Sequence, residues 1–270
     1  MFERARQRAQ GQDPVLPAPL RLELACASDT GLCREHNEDN FLFGTTVMPQ
    51  EHQSLEGVLT ARESLSKPVV AAVLDGMGGE PAGEAASFVA AQRLAELAPS
   101  LEADEPNLQH AFRAMQDAVR AMRINRRLST TGTTAVVLAC HGNVACVGNL
   151  GDSPAFLLRG GELRTLSVAH TDERLLRQLG IARRPGLTQF LGINEADAPI
   201  EPHVVSFELV AGDRILLASD GLTDMVDEAV IAHAMQSAAS VEALACTLRD
   251  QALANGGEDN VTIIACEVLA

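Results

Sequence analysis

Four short acidic clusters, far apart in the chain, hold the residues best equipped for chemistry. They are Asn37-Glu38-Asp39, Asp75-Gly76-Met77-Gly78-Gly79, Ser219-Asp220-Gly221 and Glu258-Asp259-Asn260. Each lies at the edge of an apolar run that reads as a β-strand, a setting that fixes a carboxylate rigidly. Several carboxylates drawn together repel one another unless a cation sits among them. Converging oxygen donors without His or Cys suit Mg²⁺ or Mn²⁺ far better than Zn²⁺. For a single Asp, turn capping is the commoner role. Three matching contexts, at Asp75, Asp220 and Asp259, tip the balance to metal ligation. The first expectation is a metal-dependent enzyme.

Composition narrows the class. The chain has 270 residues, 46% of them hydrophobic, enough to bury one large core. Its net charge of −15 argues against nucleic acid or an anionic membrane as the main partner. No apolar run approaches the roughly 20 residues of a membrane span. Residues 1–20 read as a disordered lead-in, Arg- and Gln-rich and then proline-rich, without the apolar core of a secretory signal. A single domain is expected over 21–270. The six cysteines form no CxxC pair, and most lie in apolar runs. Buried, reduced thiols in a cytoplasmic protein account for them.

The elements that must position the acids can be read from periodicity. Strands are expected at 21–27, 40–46, 69–74, 132–140, 143–150, 155–159, 162–166, 203–209, 214–219 and 260–268. Helices are expected from Pro81 to Ala98, through the stripe Leu108, Phe112, Met115, Val119 and Met122, and at 171–180, 227–236 and 241–254. Residues 47–67 show no periodicity and read as a long polar loop. Strands arrive mostly as hairpins and helices mostly as pairs. The expected fold class is α+β: a four-layer α/β/β/α sandwich, with two antiparallel β-sheets flanked by helix pairs.

In order, the motifs are Ser28-Asp29-Thr30-Gly31 with Arg34 and Asn37-Glu38-Asp39-Asn40; Leu74-Asp75-Gly76-Met77-Gly78-Gly79 with Gly83-Glu84; Thr131-Gly132-Thr133-Thr134; Gly148-Asn149-Leu150-Gly151-Asp152-Ser153; Ser219-Asp220-Gly221-Leu222-Thr223-Asp224; and Gly257-Glu258-Asp259-Asn260. This set resembles the metal-dependent Ser/Thr protein phosphatases of the PP2C (PPM) family in their bacterial form, over about Leu22 to Val268. The resemblance implies two Mn²⁺ or Mg²⁺ ions bridged by Asp75. The Gly76 carbonyl and Glu38 would serve one, Asp220 and Asp259 would complete the other, and Asp39 would bind directly or hold a metal-bound water. Asp152 with Asp220 would form a weaker third site. Arg34 would grip the substrate phosphate, because a guanidinium matches phosphate oxygens bidentately.

The implied function is hydrolysis of phosphoserine and phosphothreonine on proteins by a metal-activated water, opposing a Ser/Thr kinase that shares the same targets. Met77 stands where many eukaryotic members have a His that acts as general acid, so the proton must come from elsewhere. Glu80, Pro154 and Gln189 also depart from common family residues, without removing a ligand. Asp29 and Asp224 read as turn or cap residues. Ser87, Thr133 and Thr134 read as packing and hydrogen-bonding groups, and His36 and His170 as surface or supporting ones. Residues 170–192 correspond to the family's mobile flap, where Arg183-Arg184 reads as a solvated pair. A phosphoprotein-binding module without turnover and a hydrolase of small phosphate esters remain the competing classes.

Overall fold

A computed structural model describes residues 19–77, 82–194 and 199–270. Most of the expected lead-in, and the positions Gly78, Gly79, Glu80 and Pro81, lie outside the described residues.

Eleven strands and six α-helices follow one another along the described chain. The first part holds β1 (Arg21–Asp29), β2 (Asn40–Phe43), β3 (Leu59–Ser64), β4 (Val69–Leu74), α1 (Gly83–Leu97) and α2 (Glu105–Asn125). The middle holds β5 (Ala135–His141), β6 (Val144–Leu150), β7 (Ala155–Arg159), β8 (Glu162–Thr165) and α3 (Glu173–Leu179). The last part holds β9 (His203–Glu208), β10 (Arg214–Ala218), α4 (Asp220–Thr223), α5 (Glu228–Ser237), α6 (Val241–Ala254) and β11 (Val261–Leu269).

The strands form a six-stranded sheet, β3-β1-β11-β10-β7-β8, and a five-stranded sheet, β2-β4-β5-β6-β9. Paired neighbours run antiparallel, as in the nine-residue pairing of β1 with β11. Three apolar layers hold the sandwich together. Alternation along β4 sends Val70, Ala72 and Leu74 toward α1 and α2, while Val69, Ala71 and Val73 face the other sheet. Along β1, Leu24 and Cys26 join that middle layer, and Ala25 and Ala27 pack beneath α5 and α6. The four-layer α/β/β/α sandwich expected from the sequence is the observed architecture.

Local chemistry explains the element ends. Asp104 caps α2 by accepting the Asn107 N–H at 2.9 Å, and Ser240 caps α6 by accepting from Ala243 at 3.1 Å. The β5–β6 turn is Gly142-Asn143, with His141 facing Val144 across it. Cys26, Cys140, Cys146 and Cys266 are buried free thiols, Cys246 is half-buried, and Cys33 is exposed.

Two expectations need correction. Residues 47–67 are not a plain loop: Leu59–Ser64 forms β3, paired with β1 at the sheet edge. Its burial alternates along the first residues and none of its residues is fully buried. An edge strand with one solvated face needs few apolar residues, so the hydrophobic signal was weak. The strand expected at 214–219 ends at Ala218, and Asp220 opens the four-residue helix α4. A single turn is too short to print a helical period on the sequence.

Candidate metal and phosphate site

Asp75 follows the last residue of β4 and lies at the middle of the acidic group. The residue is half-buried, and Asp220, Asp39, Asp152 and Asp259 are its charged neighbours. The Asp75 backbone is pinned from both sides. Its carbonyl accepts from the Thr134 N–H at 2.8 Å and from the Thr133 hydroxyl at 2.8 Å, and its N–H donates to Thr134 Oγ1 at 3.2 Å. The Thr133-Thr134 pair thus does the hydrogen bonding expected of it. Gly76 is required at the next position, because a Cβ there would stand 2.5 Å from the Glu38 carbonyl oxygen.

Glu38 and Asp39 are held by the far end of the chain. Asn260 accepts the Glu38 N–H at 2.8 Å and donates to the carbonyls of Thr30 and His36 at 2.8 and 2.9 Å. Ser87, on α1, donates to the Glu38 carbonyl at 2.6 Å. The Asp39 carboxylate is buried and accepts the Ser219 hydroxyl at 2.7 Å. The positioning role of Asn260 was missed from sequence, where its cluster was read for acids alone.

Asp220 and Asp259 come together because α4 lies directly against the strap that precedes β11. A Cβ on Gly221 would collide with the Asn260 carbonyl, so glycine alone permits this approach. Asp220 also shares a hydrogen bond with Asp75. Asp152 follows the β6 end and neighbours Asp220 and Asp224. Asp29 makes the expected turn, accepting the Gly31 N–H at 2.9 Å.

This crowding shifts the acids. Burial, then the neighbouring carboxylates, push Asp75 far above the usual carboxylate range. Burial pushes Asp220 and Asp39 to about 7, against the lowering effect of the hydrogen bond from Ser219 to Asp39. Asp152 and Glu38 are also raised, chiefly by burial. Two guanidiniums face the group. Arg34 Nη2 lies 2.6 Å from Asp259 Oδ2. Arg184 Nη2 lies 2.9 Å from Asp224 Oδ2 and 3.4 Å from Asp220 Oδ2. Arg183 and Arg184 are both exposed, as expected of a solvated pair, but each also meets carboxylates. Arg183 pairs with Asp172, while Arg184 turns into the cleft.

Asp75, Asp152, Asp220 and Asp259, with Arg34 and Arg184, border a cleft of about 240 Å³ together with Gly76, Met77, Pro185 and Leu187. Glu38 lines a neighbouring depression with His36 and Glu84 instead, and the buried Asp39 lies behind the cleft wall. Its donors toward a cation are oxygens. The carboxylates turn to their protein partners, and among the described residues no three His, Cys, Asp or Glu side chains form a ready cation cage. Among the described residues two guanidiniums face these half-buried carboxylates, which leaves negative charge uncompensated. That donor set fits hard divalent ions.

Comparison with known proteins gives the same picture. The protein phosphatase 2C profile matches residues 59–255. The serine/threonine protein phosphatase PstP of Mycobacterium tuberculosis is 32% identical over 266 residues, 93% of this chain and 46% of that protein. The chain thus spans about half the length of these mycobacterial relatives. The serine/threonine phosphatase stp of Listeria innocua is 30% identical over 89% of this chain and 93% of its own length. Among solved structures, the PstP catalytic domain, described in complex with two manganese ions, superposes with a TM-score of 0.74 at 31% identity. That match covers 93% of this chain and all of the PstP domain. PppA of Pseudomonas aeruginosa has a TM-score of 0.74 at 26% identity, over 92% of this chain and 98% of its own. The fold and the acidic cleft are those of the protein phosphatase 2C class. The chain belongs to the protein phosphatase 2C family.

Proposed function

We propose that residues 21–270 form one domain that hydrolyses phosphoserine and phosphothreonine on proteins, with Mn²⁺ or Mg²⁺ as cofactor. One observation carries the reading: carboxylates from four distant segments and the Arg34 guanidinium border a single cleft. Asp75, with the Gly76 carbonyl and Glu38, would hold one ion; Asp220 and Asp259 would complete the second, with Asp39 beside them. Asp152 with Asp220 would take a third. Bound there, the ions would neutralise phosphate oxygens and make water nucleophilic near neutral pH.

The chain's own residues bind and orient. Arg34 offers parallel N–H donors to the phosphate from the rim of the cleft. Ser219 keeps the Asp39 carboxylate aimed, and Asn260 keeps the Glu38 loop in register with the Asp259 strap. Met77 supplies no proton, and no histidine among the described residues borders this cleft. The proton for the leaving serine or threonine oxygen then comes from water or another group of the cleft. The relatives named serine/threonine phosphatases support a phosphoprotein substrate. A Ser/Thr kinase acting on the same targets is the expected counterpart. No helix among the described residues is long and apolar enough to cross a membrane, and we assign the protein to the cytoplasm.

The test compares initial rates on a phosphothreonine peptide and on a small aryl phosphate, with Mn²⁺, for the native protein and Asp75→Ala. Fast peptide turnover that vanishes in the variant is expected. Peptide binding without turnover would point to a phosphoprotein-binding module, and a preference for the aryl ester to a small-molecule hydrolase.

A further inference from the structure

Arg184 is placed differently from the other arginines of segment 170–192. The base of this segment is clamped. Thr188 N–H donates to the His170 carbonyl at 2.8 Å, Asp172 N–H to the Gly186 carbonyl at 3.0 Å, and Gly186 N–H to Asp172 Oδ1 at 2.8 Å. Gln189, which replaces the common family arginine, ties the same base to Pro199 and Glu201 through its side-chain amide. Beyond this base the chain carries α3 outward, with Leu175, Leu179 and Ile181 exposed. Arg184 reaches back from the excursion. Its charge meets Asp220, Asp224, Asp259 and Asp152, and the two nearest carboxylates stand one turn apart, at the first residue of α4 and just past its last.

The Arg184 side chain is 68% exposed and extends on a long flexible stem. An ion pair so exposed is weak and easily exchanged. Arg34 does not compete for this position, since it is paired with Asp259.

We propose that Arg184 is a tethered monovalent cation standing at the third ion position of the cleft, and that a divalent ion binding at Asp152 and Asp220 displaces it. Its release frees the outer part of segment 170–192 from the acidic wall. Third-ion binding and flap position are thereby one equilibrium, with Arg184 as the coupling residue. The inference rests on the metal-ion reading given above. It goes beyond that reading by naming the competitor within the chain.

Calorimetric titration of the full chain with Mn²⁺ alone tests it. Native protein is expected to show two tighter sites and a weaker one. Arg184→Gln tightens the weaker site roughly three- to tenfold, the range set by losing one or two exposed pairs, and leaves the tighter pair unchanged. Arg184→Lys, which keeps the charge, stays close to native. A second readout uses Ile181→Trp, since the chain has no Trp or Tyr. Its emission should change with Mg²⁺ over the range in which the weaker site fills, and this change should disappear when Arg184→Gln is added. An unchanged weaker site in Arg184→Gln, no weaker site at all, or emission indifferent to Mg²⁺ overturns the inference. If the tighter sites and peptide turnover persist in that case, the proposed function stands. If native protein binds no Mn²⁺, both fall.

Discussion

Arg34 Nη2 and Asp259 Oδ2 meet at 2.6 Å although 225 residues separate them in sequence. The group proposed to grip phosphate is thus joined to a group proposed to hold metal. Arg34→Ala should leave the fold intact, because the side chain sits on the rim of the cleft with a third of its surface exposed. The variant should lose about 10²-fold in kcat/KM on a phosphothreonine peptide, as expected for removal of a charged, bidentate contact. Arg34→Lys should recover part of the KM and little of the kcat. Steady-state kinetics at saturating Mn²⁺ would show it, and native-like kcat/KM in Arg34→Ala would remove Arg34 from the mechanism.

Asp75→Asn should separate stability from activity. The substitution keeps the shape and removes a charge that Asp220, Asp39, Asp152 and Asp259 all oppose. Without metal at pH 8, it should stabilise the protein by roughly 1–2 kcal/mol in urea unfolding. Added Mn²⁺ should raise the Tm of native protein and leave the variant almost unmoved. Turnover should fall at least ~10³-fold. A less stable metal-free variant would contradict the account of the acidic cluster.

The same cluster sets a pH dependence in metal-free protein. Asp220 and Asp39 are pushed to about 7 in the fold, against roughly 4 in the unfolded chain. Between these values the folded state holds protons that the unfolded state has lost. Stability from these groups is full below about pH 4 and is lost as pH rises toward 7. Tm measured in EDTA should therefore decline over this window more steeply for native protein than for Asp220→Asn. Parallel curves would show that Asp220 ionises normally.

Asn260→Ala addresses assembly of the site. Its side chain makes three hydrogen bonds at 2.8, 2.8 and 2.9 Å, and the residue is buried. Removal should cost roughly 2–4 kcal/mol, because buried backbone groups lose their partners. Mn²⁺ affinity should weaken as well, since the Glu38 loop is no longer tied to the Asp259 strap. Native affinity in a destabilised Asn260→Ala would confine Asn260 to folding.

Much of the architecture was legible because burial imposes period. Val69–Leu74 is apolar throughout and is a fully buried strand, and Leu108, Phe112, Met115, Val119 and Met122 all lie on the covered face of α2. Where one face meets solvent or an element spans a single turn, the signal faded. β3 at Leu59–Ser64 is hidden in a polar stretch, and α4, just past the strand expected at 214–219, leaves no helical signal.

The sequence by itself determined which residues could bind cations and phosphate, because carboxylate and guanidinium chemistry belongs to residue type and needs no coordinates. It also determined the layers, because alternation and helical stripes record which faces must be dry. Only the tertiary structure decided the pairings: Arg34 with Asp259, Ser219 with Asp39, Asn260 with the Glu38 loop, and Arg184 with Asp220 and Asp224. These are contacts between segments far apart in the chain. Their geometry depends on sheet register and on close approaches such as that of Gly221 to Asn260, which no local pattern encodes.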